Sequence, residues 1–169
     1  MKWFLTVLVL LSLALSGCTE HRAQIAVQTA LTAAAEGVDA ADSVVNEALP
    51  AAFEQAGDDA IEECAGACVD PMAIALRNLQ PWTAAMTGVR HAADTLTLLE
   101  SGLHVWIATG ALPDWSGVCA ESEEVFGSLL ALLQSAGLQP PELLSTVVPH
   151  VSTACTLVVG LVQSQLGGE

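Results

Sequence analysis

A chain of 169 residues with 19 acidic and 4 basic side chains has a formal charge of −15 at pH 7, which excludes nucleic acid and anionic head groups as charge-driven ligands, since such a surface repels phosphate. Hydrophobic residues make up 53% of it and tyrosine is absent; with alanine dominating, this favours helices packed closely through small side chains over a β-sandwich. The length beyond the N-terminal segment suits one domain with a real core.

The first element is an export segment. Lys2 supplies a basic start, the run from Trp3 to Leu15 is apolar apart from Thr6 and Ser12, and small residues follow before a cysteine. That run is shorter than the about 20 apolar residues a spanning helix needs. The tetrapeptide Leu15-Ser16-Gly17-Cys18 resembles the lipobox of bacterial lipoproteins: an aliphatic residue, two small ones and the cysteine. The resemblance implies cleavage after residue 17 and attachment of diacylglycerol, and so of palmitate-type chains, to the Cys18 thiol. Two or three acyl chains make a stable anchor where a single one binds marginally. Thr19 stands where an inner-membrane retention signal would place Asp, so in a host with two membranes the family's sorting rule points to the outer one. The expected organisation is a signal peptide over residues 1–17 and one domain over residues 18–169. Removal of Lys2 leaves Arg22, Arg77 and Arg90 as the basic residues.

From Val27 the apolar positions run Val27, Leu31, Ala34, Val38, Ala41, Val45, Ala48 and Ala52, alternating steps of four and three, which is the seam of a core-facing helix. Glu36, Asp39, Asp42 and Glu47 fall largely off it. Pro50 is expected to kink or restart the helix, and Gly57-Asp58-Asp59 to mark a turn before a short helical piece at Ala60 to Glu63. Residues 64–69 read as a constrained connection. Asp70-Pro71 then reads as a helix start, an N-cap followed by proline in the first turn. That second helix carries Met72, Leu76 and Leu79 on one face, and Pro81 kinks or divides it.

Trp82, Met86, Val89, Ala93, Leu96, Leu99, Leu103 and Trp106 form a second long seam that ends at Gly110, a C-terminal cap. Residues 111–117 read as a loop with Trp115 plugging the bundle end. A helix from near Ala120 to Ala136 follows, with Glu121, Glu123 and Glu124 in its first turn and an apolar face of Val125, Phe126, Leu129, Leu130, Leu132 and Leu133. Pro140-Pro141 opens the last helix, which Pro149 bends. It carries no charged side chain from Leu143 to Leu166, but its Ser, Thr and Gln residues, with Pro149 and His150, make it a poor spanning segment and a reasonable central helix. The fold expected is all-α, an antiparallel bundle of about four main helices with proline bends.

Beyond Cys18 four cysteines remain, Cys64, Cys68, Cys119 and Cys155, which in an exported chain read as two disulfides. Cys155 lies about 14 residues, close to 21 Å, down the last helix and Cys119 about 17 residues below the same turn, so Cys119–Cys155 is the favoured pair, leaving Cys64–Cys68 as a local bridge. The competing reading is zinc, with Cys64 and Cys68 joined by His21, His91, His104 or His150; a second closely spaced ligand pair is missing from the sequence, so no metal is expected. His104 and His150 sit among apolar residues and read as structural histidines, His91 as exposed.

There is no G-x-S-x-G, no phosphate-cradling glycine loop and no H-E-x-x-H. No enzyme activity, cofactor or nucleic-acid partner is expected. The expectation is a membrane-anchored lipoprotein, held through the Cys18 lipid, that acts as a structural or binding module of the cell envelope with a partner protein still to be identified. Two alternatives stay open. One is a phage-type envelope factor, whose layout is similar to single-chain spanins or to exclusion lipoproteins; the other is a carrier of a hydrophobic ligand between the Ala-lined seams.

Overall fold

A computed structural model describes the backbone of residues 2–65 and 70–166 and the side chains of residues 20–65 and 70–164. The expected signal peptide, Cys18 and Cys68 lie outside the residues whose side chains are described. Among the described residues there are five helices and no strand: α1 Lys2–Glu63, α2 Pro71–Asn78, α3 Gln80–Thr109, α4 Ser116–Ser135 and α5 Glu142–Leu166. The all-α bundle expected from the sequence is the fold observed. α1, α3, α4 and α5 form a ring of antiparallel neighbours, each packed on the next and α5 closing back on α1, while the short α2 lies against α1.

The α1 seam is the part of the core that periodicity identifies best. Val27, Leu31, Ala34, Val38, Ala41 and Val45 are all buried, and Glu36, Asp39, Asp42 and Glu47 point to solvent. α5 comes close at Gly37, where a Cβ would meet Val147 at 2.8 Å and the Leu144 backbone at 3.4 Å. A glycine there lets α5 settle onto α1 at near-backbone distance.

Two expectations about helix boundaries are corrected, the turn at residues 57–59 and the start of α4. α1 runs unbroken through Pro50 and through residues 57–59. Burial of Ala52, Ala56 and Ala60, the first two against Leu79 and Trp82, outweighs the turn signal of one glycine. α5 likewise continues through Pro149. Proline costs one ladder bond in each case without ending the helix. α4 starts at Ser116 rather than Ala120, because Asp114 accepts from the Ser116 amide at 3.2 Å and its hydroxyl at 2.6 Å, opening the helix earlier. Glu121, Glu123 and Glu124 are therefore beyond the first turn.

Other signals hold. The Asp70 carboxylate accepts from the amides of Met72 and Ala73, and Gly110 and Gly137 adopt φ of +73° as they terminate α3 and α4, a conformation glycine reaches without penalty. Leu79 is at once the last cap of α2 and the first of α3, so Pro81 divides the two helices. The α3 seam shifts by one position in its first half: Ala85, Gly88 and Ala92 are buried, whereas Met86 and Ala93 are exposed. From Leu96 onward Leu99, Leu103 and Trp106 are buried as the spacing demands. Most of the α2 apolar face is also turned outward, Met72 and Leu76 remaining 66% and 60% exposed.

Candidate functional site

Gly88 lies at the floor of a broad recess. A Cβ at this position would meet the Leu132 side chain at 2.8 Å and Leu129 at 3.3 Å, so α3 and α4 lie close at this level. The face above them opens into a groove of about 790 Å³. Its lining includes Ala84, Val125 and Leu132 as apolar surface, with His91, Glu121 and Glu124 as polar groups. Glu121 and Glu124 are three apart on α4 and so share a face. The volume falls in the range of small-ligand and peptide sites. The hydroxyls of Thr83 and Thr87, which also line it, donate to the carbonyls of Leu79 and Thr83 one turn back, so they are engaged with the helix rather than with a base. Such a groove favours an apolar ligand carrying positive charge.

A second, smaller recess of about 180 Å³ lies across α3, between it and the α1 and α2 helices. Leu79 and Trp82 line it together with Phe53, Leu76 and Met86, and Thr83 belongs to both recesses. Phe53, Leu76 and Met86 are 56%, 60% and 38% exposed, so this end of the molecule presents a contiguous apolar surface of the kind that marks interaction sites. The charge beside it is negative: Arg77 is held by Glu63 at 3.0 Å, and Glu54, Asp58, Asp59 and Glu62 stand on the same stretch of α1.

At the opposite end of the bundle, the indole N–H of Trp106 donates to the Glu20 carboxylate at 2.9 Å. Trp106 is fully buried, so this bond joins the last turns of α3 to the chain two residues after Cys18. Trp115 is 3% exposed and packs directly on Gly102, where any Cβ would collide with the indole; it plugs the bundle end as its position suggests. Its Nε1 is the buried side-chain nitrogen without a hydrogen-bond partner among the described residues.

Of the residues singled out from the sequence, Cys119 and Cys155 are disulfide-bonded, with Cα atoms 5.6 Å apart across 36 residues. Both are buried, and Ser122, buried beside them, donates to the Cys119 carbonyl at 2.9 Å. Cys64 is also disulfide-bonded; its expected partner Cys68 lies outside the described residues, as does the Cys18 lipidation site. Among the described residues no three His, Cys, Asp or Glu side chains gather as a metal site would need. His91 is exposed as expected. His104 and His150 are exposed too, against the expectation of structural histidines, because each occupies an outward position of its helix, next to Leu103 and Val151 that take the buried ones. Among the described residues Asp114 has a clearly displaced pKa: the Ser116 hydroxyl, then the Ser116 amide, hold its carboxyl below the ordinary 3.8.

Sequence reasoning missed both recesses. Their signal was present in the small residues Ala84 and Gly88, four apart on α3 and lining the groove with Leu132 of α4, and in Phe53, which falls on no seam, while Leu76 and Met86 read as inward-facing and are exposed. No protein-family model, no curated protein and no solved structure matches the chain.

Proposed function

We propose that this is a lipid-anchored envelope protein, exported by residues 1–17 and held through Cys18, whose helical bundle serves as a binding module. The observation that carries the reading is the adjacency of motif and folded body: Leu15-Ser16-Gly17-Cys18 is followed two residues later by Glu20, bonded to the buried Trp106. Export and anchoring deliver an acidic body that bears two recesses on either side of α3, both suited to a partner with apolar side chains and a positive rim. The body is not assigned a reaction.

The test is labelling with palmitate in cells. The wild-type chain takes up label and loses its first seventeen residues, while Cys18→Ser takes up none and accumulates as precursor. Continued labelling of Cys18→Ser refutes the anchor.

A second reading, an envelope factor whose C-terminal helix enters a facing membrane, has one observation in its favour: residues Glu142–Ser164 are long and apolar enough to cross, with a mean hydropathy of 1.6. Against it, Leu144, Val147, Val151, Ala154 and Val158 are buried in the bundle. Export behind a cleavable signal that lacks a lipobox separates the two, since only a membrane-entering α5 keeps that form in the membrane pellet.

A further inference from the structure

The end of the bundle that carries Glu20 differs in chemistry from the rest of the molecule. Three segments converge there. The first turns of α1 with described side chains meet the last turns of α3 through Glu20 and Trp106. The second half of α5 lies against the same part of α1, Leu157 lining one shallow recess with Ala26. The connection from α3 to α4 closes the end. Residues 104–113 hold no Asp, Glu, Lys or Arg, and neither do residues 143–166. The apolar side chains of this end are turned outward: Ile25 and Val105 are each 51% exposed, Ile107 49% and Leu157 41%. Measured along the helices at 1.5 Å per residue, these four lie within about 10 Å of the level of Glu20. By contrast, the far third of α1 alone carries Glu47, Glu54, Asp58, Asp59, Glu62 and Glu63.

We propose that this apolar collar is a membrane-contact foot: the bundle stands on the bilayer that holds its lipid, with Ile25, Val105, Ile107 and Leu157 seated in the head-group and upper acyl region. The inference rests on the Cys18 anchor and adds to it the posture of the body. Two observations choose the bilayer as the occupant. Glu20 is bonded to the buried Trp106 and so already belongs to the folded body, which puts the attachment point at Cys18 two residues from the foot and leaves no room for a long linker. The charge distribution also sets the direction: the exposed acids at the level of the collar are Glu100 and Asp114, against the six on the far third of α1, and the exposed Arg22 at the same level is drawn to phosphate, whereas the acidic far end is repelled by anionic head groups. Amphipathic elements lying at an interface bury their apolar face by about 5–10 Å, which matches the height of the collar. The recesses at the other end are then held away from the membrane, open to a partner in solution.

The test uses the full lipidated chain in phosphatidylcholine proteoliposomes, with the fluorescent residue acridonylalanine placed at Ile107 or at Leu98. Both are exposed surface positions of α3, and Leu98 lies about 14 Å further from the foot. Spin-labelled phosphatidylcholine should quench the probe at 107 at least fivefold more than the probe at 98, and Val105→Asp should reduce the quenching at 107 toward the level at 98. Weak and equal quenching at both positions means that the foot stands clear of the bilayer, and strong quenching at both means that the body lies flat; either result overturns the proposal. Palmitate content is read on the same sample. Its absence overturns the anchor itself and is distinguishable from failure of the foot, in which the label is present and the quenching pattern is wrong.

Discussion

Trp106 and Glu20 are 86 positions apart in sequence and share a hydrogen bond of 2.9 Å between the indole N–H and the carboxylate. Trp106 has no exposed surface, while Glu20 is half-buried, so the carboxylate closes over the end of the core. Removing the acceptor leaves an indole N–H with restricted access to water. Glu20→Ala is expected to lower stability by about 1–2 kcal/mol, read from the urea midpoint, and Glu20→Gln to restore most of it because an amide oxygen accepts the same bond. Equal stability of all three forms would show that the bond contributes nothing.

The glycines of α3 and α4 give predictions of opposite sign. Gly102→Ala places a methyl group against the Trp115 indole and is expected to destabilise by about 1–3 kcal/mol, with a red-shifted, more quenchable tryptophan emission as the ring is displaced. Gly127 is in the interior of α4, and a Cβ there would meet nothing within 4 Å. Gly127→Ala is therefore expected to stabilise by about 0.5–1 kcal/mol through helix propensity alone. Thermal unfolding of the two variants beside the wild type decides both.

Reduction of Cys119–Cys155 releases a cross-link spanning 36 residues. On the chain-entropy account the loss is about 3–4 kcal/mol. Cys119→Ala/Cys155→Ala should show it as a lower urea midpoint, and non-reducing peptide mapping of the wild type should yield a peptide joining residues 119 and 155. A 64–119 or 68–155 peptide would contradict the helix order.

Asp114 provides the pH-dependent contact. Its carboxyl is held below 3.8 by the Ser116 hydroxyl and amide, so the ionised form is favoured by folding. A depressed folded value contributes stability that is present above 3.8, where both states are ionised, and lost as pH falls through the lower folded value. Carbon-detected NMR titration should place Asp114 below that ordinary value, and Ser116→Ala should move it upward by removing the larger cause. An unchanged titration in Ser116→Ala would assign the shift elsewhere.

Periodicity locates the core of α1 and the second half of α3 residue by residue, since Val27 to Val45 and Leu96 to Trp106 hold one register against the neighbouring helices throughout. It misplaces the first half of α3 because Gly88, invisible to a hydrophobic pattern, is the residue that lets α4 approach, and the buried face follows it to Ala85 and Ala92. The short α2 shows a related limit: an apolar face is legible in Met72 and Leu76, but whether the chain itself covers it is not. The start of α4 is hidden in an Asp-x-Ser contact, where a local hydrogen bond moves the boundary four residues earlier than the acidic cluster suggests. The Cys119–Cys155 pairing is insensitive to that boundary because it depends on distances from the α4–α5 turn, not on where α4 begins. The recesses are beyond the reach of such patterns, as they are gaps between helices and no single helix encodes them.

The close seat of α5 on Gly37 has a consequence for the order in which the molecule is made. The first helix synthesised completes its packing only against the last, with Gly37 and Val147 separated by 110 positions. Loop closure over that distance is slow compared with the pairing of α3 and α4, which are neighbours in sequence. Until α5 has emerged, the small-residue stripe of α1 is uncovered while the rest of the ring has something to pack on. The chain is therefore most exposed to proteases and to mispairing in the interval before its final helix of 25 residues arrives, and a chain truncated ahead of it would leave a half-open bundle.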